Sequence, residues 1–149
     1  MAGALVGVMR HVSALSRQVE DKHGGKGDMA WQYHLEGACG EMAFAKAVGW
    51  YYDSSVDTFK RPDVGPVYVR TRSRHSYELI VRKGDPSGVY VLVTGQAPGY
   101  VVRGWIHSDQ AKDGAFLQEY GGREEAYFVP QKALRLIGEL NASAIPSQN

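Results

Sequence analysis

The chain contains one cysteine, Cys39, no apolar run near the roughly 18 residues that cross a bilayer, and no excess of either charge. One cysteine cannot close an internal disulfide, and without a second it cannot build a zinc site of the usual spacing, so a reducing intracellular setting is expected. Arg10 and His11 directly follow the short run "ALVGVM", which breaks the pattern of a secretory leader. No membrane partner is expected, and a cytoplasmic location is. Lys and Arg total 17 against 16 Asp and Glu, a formal charge of +1, so bulk attraction selects no partner. The composition, 44% hydrophobic and 22% charged, is that of an ordinary globular protein. A length of 149 residues suits one domain, with a helical extension and loop over 1–35 and a frayed tail over 141–149.

Charge is concentrated locally instead. Arg70, Arg72, Arg74, His75, Arg82 and Lys83 fall within 14 residues, with Glu78 the one acid among them. Such a stretch suits phosphate, and it would equally keep an exposed strand soluble.

Leu5, Val8, Met9, Val12, Leu15 and Val19 recur at helical spacing, which predicts an amphipathic helix over 4–20 that ends in the loop "DKHGGKGD". A second helix is expected over 36–48, "EGACGEMAFAKAV", closed by Gly49. From 66 the period becomes two, and Val67, Val69 and Thr71 alternate with Tyr68, Arg70 and Arg72 as in a half-buried strand. "YELIVR", 77–82, is expected to return antiparallel to it after the turn "SRHS". "VYVLVTG", 89–95, reads as a central strand, followed by "YVVRGWI", 100–106. A short helix near 108–112, a strand "AYFV" and a last helix beginning at Pro130 with Leu134, Ile137 and Leu140 complete the order. This predicts an α/β (α+β) arrangement, a single layer of sheet with helices packed against it.

Two carboxylates stand out on physical grounds. Glu41 shares a helical stripe with Phe44, Ala45 and Val48, so its carboxylate faces apolar neighbours and needs a metal, a basic group or a route to water. Asp63 lies just before the strand whose residues 68 and 70 project to one face. A carboxylate there, followed by alternate polar residues, can supply the oxygen ligands and fixed charge of metal-assisted phosphodiester hydrolysis.

The segments "GACGEMAFAKAVG", "RPDVGPVYVRTRSRHSYELIVR", "VYVLVTGQAPGYVVRGWI" and "YFVPQKAL", over about residues 37–136, together resemble the PD-(D/E)XK nuclease superfamily, in particular small nuclease-like proteins of bacteriophage origin. The resemblance implies a restriction-endonuclease-like core, a central mixed sheet of about four to five strands flanked by helices. It makes Asp63 the central Mg²⁺ or Mn²⁺ ligand, Glu41 the helix acid, and a main-chain carbonyl at Val69 a further ligand. Tyr68 stands where the family places a second acid, and Arg70 where it places a lysine. A phenol is a poor Mg²⁺ ligand at neutral pH. Arg70 can bind phosphate oxygens and steady charge but cannot move a proton. Water activation would then fall to the metal itself or to another group, with His75 and Glu78 as candidates. Gln131 resembles a glutamine of some exonuclease members, although Arg135 stands where a tyrosine would follow.

Two functions follow from the resemblance. The first is a metal-dependent DNA nuclease of phage recombination, repair or genome processing in an infected bacterial host, with Glu41, Asp63, Tyr68 and Arg70 at the site, and a homodimer would fit cleavage of two strands. The second is a nuclease fold that has lost catalysis and binds nucleic acid or protein through Arg72, Arg74, His75, Arg82 and Lys83. Trp31, Tyr33, Trp50, Tyr51 and Tyr52 could stack on bases or pack as core. Tyr100 and Trp105, five residues apart, are expected on opposite strand faces.

Overall fold

The computed structural model describes residues 28–50, 52 and 62–140; the helix expected over 4–20 and the tail over 141–149 lie outside them. Helix α1, Asp28–Val48, begins earlier than the expected 36 and ends as read. It buries Ala38, Glu41, Phe44 and Ala45, the stripe that the spacing of apolar residues demands. A side chain at Gly40 would overlap that of Thr71, so the helix lies directly on a strand.

That strand is β1, Val67–Arg72, which pairs in parallel with β3, Val89–Gln96; β3 pairs antiparallel with β4, Gly99–His107. The first sheet thus has the order β1-β3-β4, with the apolar strand in the middle. A second sheet, in the order β2-β6-β5, is formed by β2, Leu79–Arg82, β5, Leu117–Gln118, and β6, Ala126–Val129. The α+β class holds. In place of one mixed sheet of four to five strands, two sheets of three are found.

The reason lies in what β2 buries. Leu79 and Val81 pack with Tyr68, Tyr90, Leu92 and Val129 in one core, while Phe44, Ala45, Val67, Val69, Val91 and Val93 form another beneath α1. The first sheet is therefore covered on both faces, by helix and by sheet. β2 crosses above β1 instead of pairing with its edge, because that edge is already taken: Asp63 N–H and Val64 N–H both donate to the Val67 carbonyl.

Two further expectations are corrected. A last helix from Pro130 is replaced by 3₁₀ turns at Gln131–Ala133 and Ile137–Glu139. Between them Arg135 is extended and exchanges both backbone hydrogen bonds with Trp105, at 3.0 and 2.8 Å. Gly104 permits that approach, since a Cβ there would meet the Arg135 carbonyl. Tyr100 and Trp105 both pack on the helix-side core and not on opposite faces. The register between β3 and β4 passes from Leu92↔Gly104 to Val93↔Val102. Arg103 is thus an extra residue, and a bulge inverts the alternation beyond it. Helix α2, Ser108–Ala111, follows β4, as read from the sequence.

Candidate functional site

Asp63 sits at the outer edge of β1. Its Oδ2 accepts the Val69 N–H at 2.7 Å, and the Val69 carbonyl shares that edge because both polar groups of a strand residue point the same way. Asp63 therefore caps an edge that would otherwise invite another strand. On the face toward the second sheet lie Tyr68 and Arg70. Tyr68 stacks on Tyr90 with ring centroids 4.9 Å apart, and Tyr90 donates to the Pro86 carbonyl at 2.7 Å.

Arg70 is the centre of this group. Its guanidinium donates to Asp85 Oδ2 at 3.1 Å, stands 4.0 Å from Asp63 Oδ2, and lies 5.1 Å from the centroid of the Tyr90 ring. Asp85 also accepts the Arg82 N–H at 2.8 Å. Asp85 stands in the turn "GDPSG", 84–88. Its signal was present, an acid in the turn leading into β3, but nothing local links residue 85 to residue 70. Burial, with Asp63 the next contributor, raises the Tyr68 pKa above the ordinary phenol value, Arg70 opposing. Tyr68 is thus a neutral phenol at pH 7.

The structure brings Asp63, Tyr68 and Arg70 together as the sequence implied. Glu41 is buried in α1, 4% exposed, and its carboxylate accepts from the Tyr52 hydroxyl at 3.0 Å. Among the described residues no group of three or more His, Cys, Asp or Glu is placed to hold a metal ion. Asp63 and Asp85 both face one positive charge, the guanidinium of Arg70.

The basic stretch is divided by β2. At the C-terminal end of β1, Arg72 donates to the Glu78 carbonyl at 2.7 Å and lies 4.5 Å from the centroid of the Tyr77 ring, with Arg74 at 5.7 Å from the same ring. Burial lowers the Arg72 pKa, with Tyr77 and Glu78 opposing, and an arginine so placed keeps its charge at neutral pH. His75 is exposed in the same turn. Arg82 and Lys83 lie at the other end of β2, where Lys83 is paired with Glu125 at 2.6 Å, so they do not extend the surface of Arg72 and Arg74. Gln131 donates to the carbonyls of His75 and Tyr77 at 2.7 and 2.8 Å; it pins the turn and opens a 3₁₀ turn, not an α-helix. Trp50 and Tyr52 pack against the helix-side core, Tyr33 is exposed, and Tyr51 and the Trp31 side chain lie outside the described set. No helix among the described residues is long and apolar enough to cross a membrane. Compared with known proteins, the chain matches no family model, no curated protein and no solved structure.

Proposed function

We propose that this chain is a nucleic-acid-binding domain with a nuclease-like sequence pattern, in which a fixed arginine stands where catalysis would need a metal cation. The observation that carries the reading is the division of charge along β1. Arg70 is neutralised by Asp63 and Asp85. Arg72 and Arg74 instead both lie close to the Tyr77 ring with no carboxylate paired to either among the described residues. A phosphate reaching this end of the strand meets two guanidinium groups without a carboxylate partner, beside an aromatic ring. The test is fluorescence anisotropy with labelled single-stranded, double-stranded and branched DNA. Binding should need no metal, weaken as salt rises because counterions are released, and fall in Arg72→Ala and Arg74→Ala but not in Arg70→Ala. Absence of binding to every DNA at low salt would overturn it.

A second reading, the metal-dependent DNA nuclease with Mg²⁺ or Mn²⁺, is favoured by one observation: the Asp63 carboxylate and the Val69 carbonyl share the outer edge of β1 beside Arg70. Cutting of the same DNAs with either metal, lost in Asp63→Ala, would establish it in place of the first.

A further inference from the structure

Beside Arg72, on the same face of the first sheet, three residues from separate parts of the chain meet at a buried hydroxyl. Thr94 on β3 is the register partner of Arg72 and is fully buried. Its Oγ1 accepts from Arg103 Nε at 2.8 Å and lies 3.0 Å from His75 Nδ1. Arg103 is the extra residue of the β3–β4 bulge, a device that re-aims a side chain out of the normal alternation. His75 fits because position 95 is glycine, where a Cβ would come within 3.1 Å of the imidazole Cε1.

The Thr94 hydroxyl anchors one nitrogen of each side chain, Arg103 Nε and His75 Nδ1, and so fixes where both groups sit. With Nε committed, Arg103 keeps its two terminal nitrogens for a ligand, and no carboxylate pairs with it among the described residues. An anchored guanidinium with an imidazole held next to it, beside Arg72, is complementary to a phosphate group.

We propose that Arg103 and His75, positioned by the Thr94 hydroxyl, form a phosphate-binding subsite for a nucleic-acid strand, next to Arg72 and Arg74. The inference rests on the nucleic-acid-binding reading above and adds two residues outside the basic stretch, Thr94 and Arg103. It is tested by anisotropy of labelled single-stranded and double-stranded DNA with the full chain. Arg103→Ala should weaken binding about tenfold or more, as expected for loss of a charge-assisted contact. Arg103→Lys should not restore it, because lysine keeps the charge but cannot reach phosphate while bonded to Thr94. Thr94→Val, of nearly the same shape, should weaken binding severalfold with a native circular dichroism spectrum. His75→Ala, in an exposed turn, gives a second variant that removes no apolar core side chain. If the native protein binds DNA and Arg72→Ala weakens it while Arg103→Ala, Thr94→Val and His75→Ala all bind like the native protein, the subsite is wrong and the wider reading stands. If the native protein binds no DNA, both fall together.

Discussion

Replacing Arg70 with methionine should destabilise the protein by about 2 kcal/mol, although methionine fills much of the same volume. At an effective dielectric constant of about 20, the contacts at 3.1 and 4.0 Å correspond to gross attractions of about 5 and about 4 kcal/mol. Desolvation and water offset most of this. Breaking a fully buried pair costs about 3–5 kcal/mol and an exposed one under about 1; Asp85 and Asp63, at 12% and 23% side-chain exposure, lie between. One term opposes the loss: Arg70 Nε is buried without a hydrogen-bond partner, and its removal recovers about 1 kcal/mol. The net loss, about 2 kcal/mol, should lower the urea midpoint by about 1 M, read by tryptophan fluorescence. A double-mutant cycle with Asp85→Asn should give a coupling of about 1–2 kcal/mol, and one with Asp63→Asn under about 0.5, since 4.0 Å is outside hydrogen-bond range. If Arg70→Met is as stable as the native protein, the guanidinium is not the counter-ion of these acids, and the argument that it takes the place of a metal is refuted.

Other predictions are independent of that one. Gly40→Ala should destabilise by about 1–2 kcal/mol despite alanine's higher helix propensity, because the new methyl overlaps Thr71; the double variant with Thr71→Ala should recover most of the loss, and a stabilised single variant would refute the close approach. Lys83→Ala should leave DNA affinity unchanged, since Lys83 pairs with Glu125 away from Arg72, and an anisotropy loss equal to that of Arg72→Ala would show one continuous surface. Adding Mg²⁺ or Mn²⁺ should leave the thermal midpoint unmoved, because a ligand that binds the folded state must raise it. Burial raises the pKa of Tyr68, Tyr90 and Tyr100, with Glu36 adding to the effect at Tyr100 and Asp85 at Tyr90. A folded pKa above the unfolded value gives stability that is present below about pH 10 and lost as pH rises through the folded values. Phenolate absorbance should therefore show some of the nine tyrosines titrating later than in urea, and simultaneous titration in both states would contradict their burial.

Local chemistry was legible wherever the signal is periodic. The alternation over 67–72 produced β1, the apolar run at 89 produced the middle strand β3, and the offset of Glu41 from Phe44, Ala45 and Val48 placed its carboxylate inside. The proximity of Asp63 to Tyr68 and Arg70 was also legible, because strand geometry sets residues two apart on one face. The 3₁₀ turns after Pro130 were not, since Leu134, Ile137 and Leu140 have helical spacing whether or not Arg135 is drawn into a bridge with Trp105.

Sequence alone thus determined that β1, β2, β3, β4 and β6 are strands, that α1 carries an apolar stripe, and that the arginines cluster after Asp63. Tertiary structure decided how those faces were matched. A polar turn between two apolar strands is compatible with a hairpin or with a crossing to another layer, and only the burial of Leu79 and Val81 against Tyr90 and Leu92 selected the second. Strand pairing is non-local, and its entropy cost is offset only by contacts far along the chain. The same holds for the charges. Asp85 and Arg70 are 15 residues apart, Arg103 and Thr94 nine, and whether an arginine is neutralised or left for a ligand depends on which distant residue the fold places beside it.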